Sequence, residues 1–346
     1  MNRIRRCGLT ALFVLGIAGM LFAAPMANKH YTFYFVSHIG ANDPNMNWLT
    51  LSSQAFERAF PNVTIRYEAP AMFSVKAQID MLKAAIATHP DGLIVPITDA
   101  AAMDPVLREA IEKYHIPVIA SNNPDYRPAN ERIPYLTYVG ADEYLTGLKL
   151  GQYLASAGKS GAVPMVTGVV TAIQNPGQTA LEARAKGMAD AMQQINVTSD
   201  ELAIGNDPAK AKSLMTAYLV SHKDVNALFM VASWASPWGY DVAKSLGRAP
   251  GSGPNAITIL TCDDSPVALE GILKGYILAS NSQQFWLQGW LPAMWLYLHD
   301  AFGFDPPPTE IVGPIVIDKA NLAAIKASVM STFGEKTYNG LILWKD

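Results

Sequence analysis

The sequence predicts an α/β protein made of two doubly wound parallel-sheet lobes. Short apolar runs alternate with amphipathic helical segments from Tyr31 onward, which is the pattern of strand–helix–strand units in a parallel sheet. The alternation contains two successive runs of five such units, and this favours two sheets over a single sheet of ten strands. The length of 346 residues likewise suits two domains better than one or three.

The first run of units extends from Tyr31 to Val139. Its helical segments bury one face, since Ile79, Leu82 and Ile86 recur at helical spacing. A second helix stops before Pro117, because the residue that precedes a proline disfavours the helical conformation. The strands predicted in this run are Tyr31–Val36, Val63–Tyr67, Gly92–Pro96, Pro117–Ala120 and Leu136–Val139.

The second run begins near Val163 and repeats the alternation. Its predicted strands are Val163–Thr167, Val197–Ala203, Ala227–Val231, Ala256–Leu260 and Ile277–Ser280, and its helices include Gly177–Gln194 and Pro208–Val220. A long apolar helix, QFWLQGWLPAMWLYLHDAF, and an extended segment follow. Because the sequence has no Ser/Gly-rich linker between the runs, we expect a hinge of short ordered strands. An eight-stranded closed barrel is disfavoured, since such barrels are generally one domain of about 250 residues.

The N-terminus predicts a secretory signal peptide over residues 1–27. Three arginines precede an uninterrupted apolar run from Leu9 to Ala24, and these are the positive and hydrophobic regions of such a signal. An uncleaved membrane anchor is the alternative. Cleavage removes Cys7 and leaves Cys262 as the one cysteine, so no disulfide framework is expected. The pattern therefore predicts an exported, periplasmic protein.

Charge and motifs argue against nucleic-acid binding, metal chemistry and a local catalytic motif. The formal net charge of −3 gives no basic field for nucleic acid. The AGKS of Ala157–Ser160 lacks the first glycine of a phosphate-binding loop and follows a helix. The six histidines are scattered without metal-ligand spacing, so neither a metal nor a cofactor is expected. An enzyme is thus the less favoured class, although a site assembled from distant residues leaves no local motif.

Polar and aromatic side chains follow almost every predicted strand. Ligands of open α/β sheets bind outside the carboxyl ends of the strands, so we expect these side chains to converge. Carboxylates and amides hydrogen-bond hydroxyl groups, and an indole offers a flat face to the C–H side of a sugar ring, which favours an uncharged polyhydroxy ligand. Taken singly, each Asn or Asp is more commonly a turn former or a helix cap. The candidate ligand-binding residues are Asp43, Trp48, Asn122, Asn123, Asn175, Arg184, Trp234, Asp263 and Gln283.

Six segments carry a family resemblance, and their order and spacing are more specific than any one of them. They are FVSHIGANDPNMNW, FSVKAQIDMLKAAIA, PDGLIVPITDAAAMDPVLREAIEKYHIPVIASNN, YVGADEYLTGLKLGQYLASAG, ALEARAKGM and DDSPVALEGILKGYILASNSQQFWLQGW. Together they resemble the periplasmic sugar-binding proteins of ABC importers, of the ribose-binding type, over the chain from Tyr31 to about Ala320. The resemblance implies the type I periplasmic binding fold, with two lobes joined by three crossing segments. It places the first lobe over 28–139 plus 284–312 and the second over 140–283 plus 313–346.

The resemblance implies a monomeric protein that captures a sugar or polyol between its lobes. Such a protein delivers its ligand to the membrane permease of an ABC importer. Two alternatives stay open at this stage. One is an exported receptor for signalling or chemotaxis, or for an autoinducer-like furanose, and the other is a sugar-modifying enzyme.

The resemblance also assigns individual residues to the ligand site. Asp43 and Trp48 match the first-strand loop of relatives that carry a Gly-Asp-Pro-Phe-Trp pattern. Asp263 matches an aspartate after a strand of the second lobe, and Gln283 matches a glutamine near the second crossing. Arg184 is similar to the second-lobe arginine that hydrogen-bonds ligand oxygens.

Three departures from that pattern bear on the ligand. Asn122 and Asn123 stand where ribose-type members have an Asp-Arg pair, so both charges are missing. Trp234 stands near a position that is usually asparagine, and the first loop is lengthened by the Asn-Met-Asn of residues 45–47. These departures leave the ligand open among pentoses, hexoses, polyols and related small molecules.

Overall fold

The computed structural model describes residues 29–40 and 43–344. The signal peptide predicted over residues 1–27 lies outside the described residues. Within the described ranges, no helix is both long enough and apolar enough to cross a membrane.

Twelve strands and eleven α-helices alternate along the described chain. The strands are β1 Tyr31–Val36, β2 Val63–Glu68, β3 Gly92–Val95, β4 Val118–Ser121, β5 Thr137–Ala141, β6 Gly168–Ile173, β7 Thr198–Ala203, β8 Ala227–Met230, β9 Thr258–Thr261, β10 Ser280–Ser282, β11 Thr309–Gly313 and β12 Ile315–Ile317. The helices are α1 Met46–Ala59, α2 Val75–Ala87, α3 Ala100–Arg108, α4 Glu143–Lys159, α5 Thr179–Gln193, α6 Pro208–Ser221, α7 Ser236–Ser245, α8 Pro266–Lys274, α9 Phe285–Phe302, α10 Leu322–Phe333 and α11 Glu335–Gly340.

The strands form two open parallel sheets and one small antiparallel pair. The first sheet has the order β11-β5-β4-β3-β1-β2, and the second has the order β7-β6-β8-β9. All neighbours within these two sheets are parallel, whereas β10 pairs with β12 in the antiparallel sense. The strand order reverses at β1 in the first sheet and at β6 in the second, as a doubly wound fold requires. The predicted fold class is confirmed, and a closed barrel is excluded.

The chain passes between the two sheets three times. It leaves the first sheet after β5, returns to it from β10 through α9, and leaves again between β11 and β12. We call the first sheet with its helices the first lobe and the remainder the second lobe. The exact lobe boundaries given above stay a prediction.

The strands of the first sheet are buried on both faces because helices cover each side. Phe33 and Phe35 of β1 pack in one cluster with Phe56 of α1, and Tyr34 packs on the opposite face with Leu82 of α2. Strands covered in this way are continuously apolar instead of alternating. This explains why YTFYFV is recognisable as a strand from the sequence alone.

One strand of the second lobe lies later than predicted. The sequence predicts Val163–Thr167, whereas the structure has β6 at Gly168–Ile173. The amide of Asn226 accounts for the shift, since it accepts from the Thr167 backbone N–H at 2.9 Å and donates to the Met165 carbonyl at 2.8 Å. The Asn226 side chain therefore binds backbone groups that would otherwise pair with a neighbouring strand. The last predicted strand, Ile277–Ser280, likewise begins later, at Ser280.

Candidate functional site

A cavity of about 260 Å³ lies between the lobes, at the carboxyl ends of both parallel sheets. The first lobe contributes the loops after β1, β2 and β4, and the second contributes the loops after β6, β7, β8 and β9. This is the position at which open α/β sheets bind ligands.

Seven of the nine predicted site residues line this cavity, although their ligand contacts stay predictions. They are Asp43, Asn122, Asn175, Arg184, Trp234, Asp263 and Gln283. The late position of β6 leaves this outcome unchanged, because Asn175 follows the end of the strand that does form.

Trp48 and Asn123 lie outside the lining of the cavity. The Trp48 indole is buried against Phe333 of α10, with ring centroids 4.6 Å apart, and it borders a separate cavity of about 440 Å³. Asn123 is fully buried, and its backbone carbonyl accepts a hydrogen bond from the Ile97 backbone N–H at 2.9 Å. Through its contact with Phe333, Trp48 of the first lobe packs against the second lobe.

Arg184 enters the cavity wall as one half of a buried ion pair. Its Nε and Nη2 donate to the two carboxylate oxygens of Glu143 at 2.5 and 2.9 Å, and Nη1 donates to the Val231 carbonyl at 2.8 Å. Burial raises the pKa of Glu143, and the adjacent guanidinium opposes that shift. The arginine is thus held in one orientation and its charge is compensated within the protein.

Two glycines allow this pair to form, because they let α4 and α5 approach closely. A Cβ at Gly147 would lie 1.8 Å from the Arg184 carbonyl oxygen, and one at Gly187 would lie 2.0 Å from the Tyr144 carbonyl oxygen. Any larger residue would separate the helices and draw Arg184 away from Glu143.

Asp43 lies on the first-lobe loop, and its surroundings favour the neutral carboxyl. Enclosure in the cleft and the nearby Asp263 carboxylate raise the pKa of Asp43 to about 7. One oxygen accepts from the Asn45 backbone N–H at 2.9 Å, which favours the charged form. Asp43 therefore changes charge near neutral pH.

Asp263 follows β9 in a left-handed backbone conformation, with φ of 77°. Its two oxygens accept from the Gln283 side chain at 2.5 Å and from the Asn45 side chain at 2.9 Å. Burial raises the pKa of Asp263, while Arg184 acts in the opposite direction. Asn122 has the same unusual conformation, with φ of 67°, so two residues with uncommon backbone geometry lie beside the cavity.

Several residues of the site were missed in the sequence. His38 lines the cavity, and burial and the charge of Arg184 lower its pKa to about 3, so its ring is neutral at physiological pH. Asn45, Phe73 and Gln178 also line the cavity. Glu143 could have been found from the sequence, because it closely follows β5, just as the predicted residues follow their strands.

The site offers many hydrogen-bonding groups and little free positive charge. Arg184 already pairs with Glu143, so its charge is compensated. The carboxylates of Asp43 and Asp263 in the lining therefore disfavour a phosphate or another anion. The rings of Phe73, Trp234 and Phe285 supply apolar walls. Among the described residues, no three His, Cys, Asp or Glu side chains are grouped to hold a metal ion. The arrangement suits a small neutral molecule that has both polar and apolar faces.

The sequence profile of the periplasmic binding protein domain matches residues 39–300, which is most of the chain. The chain belongs to this family. The family resemblance seen in the sequence is thereby confirmed.

This periplasmic binding protein is similar in sequence to two sugar-binding proteins. It is 27% identical over 227 residues to the xylose/arabinose-binding protein XylF of Sulfolobus acidocaldarius, covering 64% of this chain and 54% of that protein. It is 26% identical over 209 residues to the D-ribose/D-allose-binding protein of Pseudomonas aeruginosa, covering 60% of this chain and 62% of that protein. The matches thus extend over less than two thirds of either relative.

Solved structures share the fold of this periplasmic binding protein. A carbohydrate transporter from Acidothermus cellulolyticus in complex with myo-inositol superposes with a TM-score of 0.74 at 24% identity, covering 88% of this chain and 99% of that one. The glucose-galactose binding protein GanP of Geobacillus stearothermophilus gives 0.74 at 21% identity, covering 85% and 99%. These likenesses establish the two-lobe type I architecture.

Proposed function

We propose that this periplasmic binding protein captures a neutral sugar or polyol between its lobes and delivers it to the membrane permease of an ABC importer. The observation that carries the proposal is the interlobe cavity of about 260 Å³, which is lined by carboxylates, amides and aromatic rings from both lobes. Its volume is below the roughly 300–1,000 Å³ of pockets for drug-sized ligands. A monosaccharide or a small polyol therefore suits it best.

The polar lining matches a ligand that both donates and accepts hydrogen bonds. Ligand hydroxyls donate to the carboxylates of Asp43 and Asp263 and accept from the amides of Asn122, Asn175 and Gln178. The guanidinium of Arg184 keeps donors beyond those that bind Glu143 and Val231. We therefore expect all seven predicted lining residues to contact the ligand, and we assign the ring-stacking role to Trp234 and Phe73.

Capture proceeds by closure of the two lobes about the crossing segments. A ligand that touches both walls stabilises the closed state over the open one. A shift from mostly open to mostly closed requires about 5.5 kcal/mol of differential binding. Hydrogen bonds to charged groups contribute about 1.5–3 kcal/mol each, so a few contacts on each wall are sufficient.

The cellular setting forms part of the same proposal. Residues 1–27 direct export to the periplasm, where the mature chain works as a monomer without a cofactor or a nucleic-acid partner. The composition supports this, since a positive segment and an apolar run begin the chain and the net charge is −3.

Thermal shift and calorimetry against a panel of neutral pentoses, hexoses, myo-inositol and glycerol test the proposal. The matched control is a set of phosphorylated sugars. A cognate ligand at 100 times its Kd should stabilise the protein by about 2.7 kcal/mol. Folded protein that responds to no neutral member, or only to phosphorylated sugars, would contradict the proposal.

A further inference from the structure

The side chain of Asn45 joins the two lobes directly. Asn45 precedes α1 in the first lobe, and only 2% of it is exposed. Its Nδ2 donates to Oδ2 of Asp263 at 2.9 Å, and Asp263 follows β9 of the second lobe. The protein thus makes its own hydrogen bond across the cleft.

The side chain of Asn45 serves this contact instead of its helix. Asparagine at a helix N-cap position usually accepts a hydrogen bond from the first turn of that helix. Asn45 is the N-cap residue of α1, but among the described residues its side chain makes no capping hydrogen bond to that helix.

Asp263 links three parts of the molecule through its carboxylate. It binds Asn45 of the first lobe and Gln283 of the crossing segment between β10 and α9, and it lies in the loop that follows β9 of the second lobe. The backbone N–H of Asn45 also donates to Oδ1 of Asp43 at 2.9 Å. One residue therefore holds both carboxylates of the cavity lining.

We infer that Asn45 is a positioning residue that latches the lobes together and orients Asp263 for the ligand. This inference rests on the proposed function for its ligand-binding part and on the geometry alone for the latch. A hydrogen bond to a buried carboxylate is charge-assisted, and its loss changes an equilibrium by about 10- to 100-fold. Removal of the Asn45 amide should therefore favour the open state by that factor.

Asn47 provides a matched control in the same loop. It is the same residue type, but its Nδ2 donates to the carbonyl of Pro44 at 3.1 Å, a contact within the first lobe. Its truncation removes an amide without touching the cleft.

Spin-label distances across the cleft test the latch in the full mature protein with and without ligand. Lys76→Cys and Lys210→Cys carry the labels, because both side chains are exposed near the starts of α2 and α6, while native Cys262 is fully buried. Without ligand, we expect a substantial short-distance population in the labelled parent and in N47A. In N45A and in the isosteric N45D at pH 8, the ratio of the short-distance to the long-distance population should fall about 10-fold or more.

The ligand arm uses the neutral panel member that binds the parent most tightly. We expect N45A to raise the Kd about 10- to 100-fold, whereas N47A should stay within about threefold of the parent. Equal ligand-free distances in the parent, N45A and N45D would overturn the inference, as would an N47A that opens as far as N45A. If no sugar binds but the distances behave as expected, the proposed function fails and the latch stands.

Discussion

The two walls of the cleft are built in different ways. On the second-lobe wall, Arg184 is fixed by two bonds to Glu143 and one to the Val231 carbonyl. On the first-lobe wall, Asp43 lies on a loop and accepts a backbone hydrogen bond from Asn45 and a side-chain hydrogen bond from Trp234. The second wall is therefore fixed by a buried ion pair, whereas the first wall is held by hydrogen bonds alone at Asp43.

The same difference appears in the electrostatics of the walls. The charges of Glu143 and Arg184 compensate each other inside the protein. Asp43 instead faces another carboxylate, and its pKa of about 7 makes it sensitive to pH. The two walls therefore differ in charge balance: the second wall contains a compensated ion pair, and the first contains a carboxyl that, among the described residues, has no paired cation of its own.

The largest expected effect comes from breaking the second wall. Glu143→Gln leaves the Arg184 guanidinium buried without a counter-charge, and we expect a loss of about 3–5 kcal/mol in the free energy of unfolding. Urea denaturation measures this value. The control is Glu182→Gln on the exposed side of α5, which should change stability by less than about 0.5 kcal/mol. Equal values for both variants would contradict a fixed second wall.

A somewhat smaller effect is the pH dependence of the unfolding free energy that Asp43 of the first wall causes. Since folding raises the pKa of Asp43 from its ordinary value near 3.8 to about 7, its contribution is full below pH 4 and is lost as the pH rises through 7. The shift corresponds to at most about 4 kcal/mol, which solvent in the cleft reduces.

The difference between the parent and Asp43→Asn isolates this contribution, because burial also raises the pKa values of Asp263 and Asp264. Unfolding free energies measured from pH 4 to 8 should fall more steeply with pH in the parent. Parallel curves would show that Asp43 keeps an ordinary pKa.

A smaller effect separates the two tryptophans. Trp234→Ala should weaken ligand binding about tenfold, since it removes an aromatic wall of the cavity. Trp48→Phe keeps an aromatic ring against Phe333 and should leave the Kd within about threefold. Calorimetry gives both values. If Trp48→Phe were the more damaging change, Trp48 would be the ring-stacking residue that the sequence predicts.

The smallest effect concerns Cys262, which lies fully buried in the second lobe. Burial raises the pKa of its thiol, so it should react with a thiol reagent only on global unfolding. If the second wall is rigid, the reaction rate should follow the measured global unfolding of each protein, in the parent and in N45A alike. A reaction in N45A that is faster than its global unfolding allows would show that opening of the cleft loosens the second lobe as well.

Most of the fold could be predicted because parallel strands covered on both faces leave continuous apolar runs. β1 was predicted with its observed bounds for this reason, and α5 and α6 were predicted to within two residues. β6 was misplaced because the amide of Asn226 holds the preceding segment, and a contact about 60 residues away leaves no local pattern.

The site was predicted in part, since residues that follow strands in both halves converge at the sheet ends. The sequence could not show which side chains after each strand face the cavity. Trp48 and Asn123 follow strands as Asp43 and Asn122 do, but they lie outside the cavity lining. Neither the pairing of Glu143 with Arg184 nor that of Asn45 with Asp263 could be read from the sequence, because each depends on how separate elements pack.

Mass spectrometry of the small molecule released from the purified protein is the decisive test of a neutral sugar or polyol as its ligand. We expect a neutral compound with the mass of a pentose, a hexose or a polyol, which rebinds to the stripped protein and is displaced by excess of the same compound. Release of a phosphorylated compound or a peptide would contradict the proposed function. So would a folded protein that releases nothing and binds no neutral sugar or polyol.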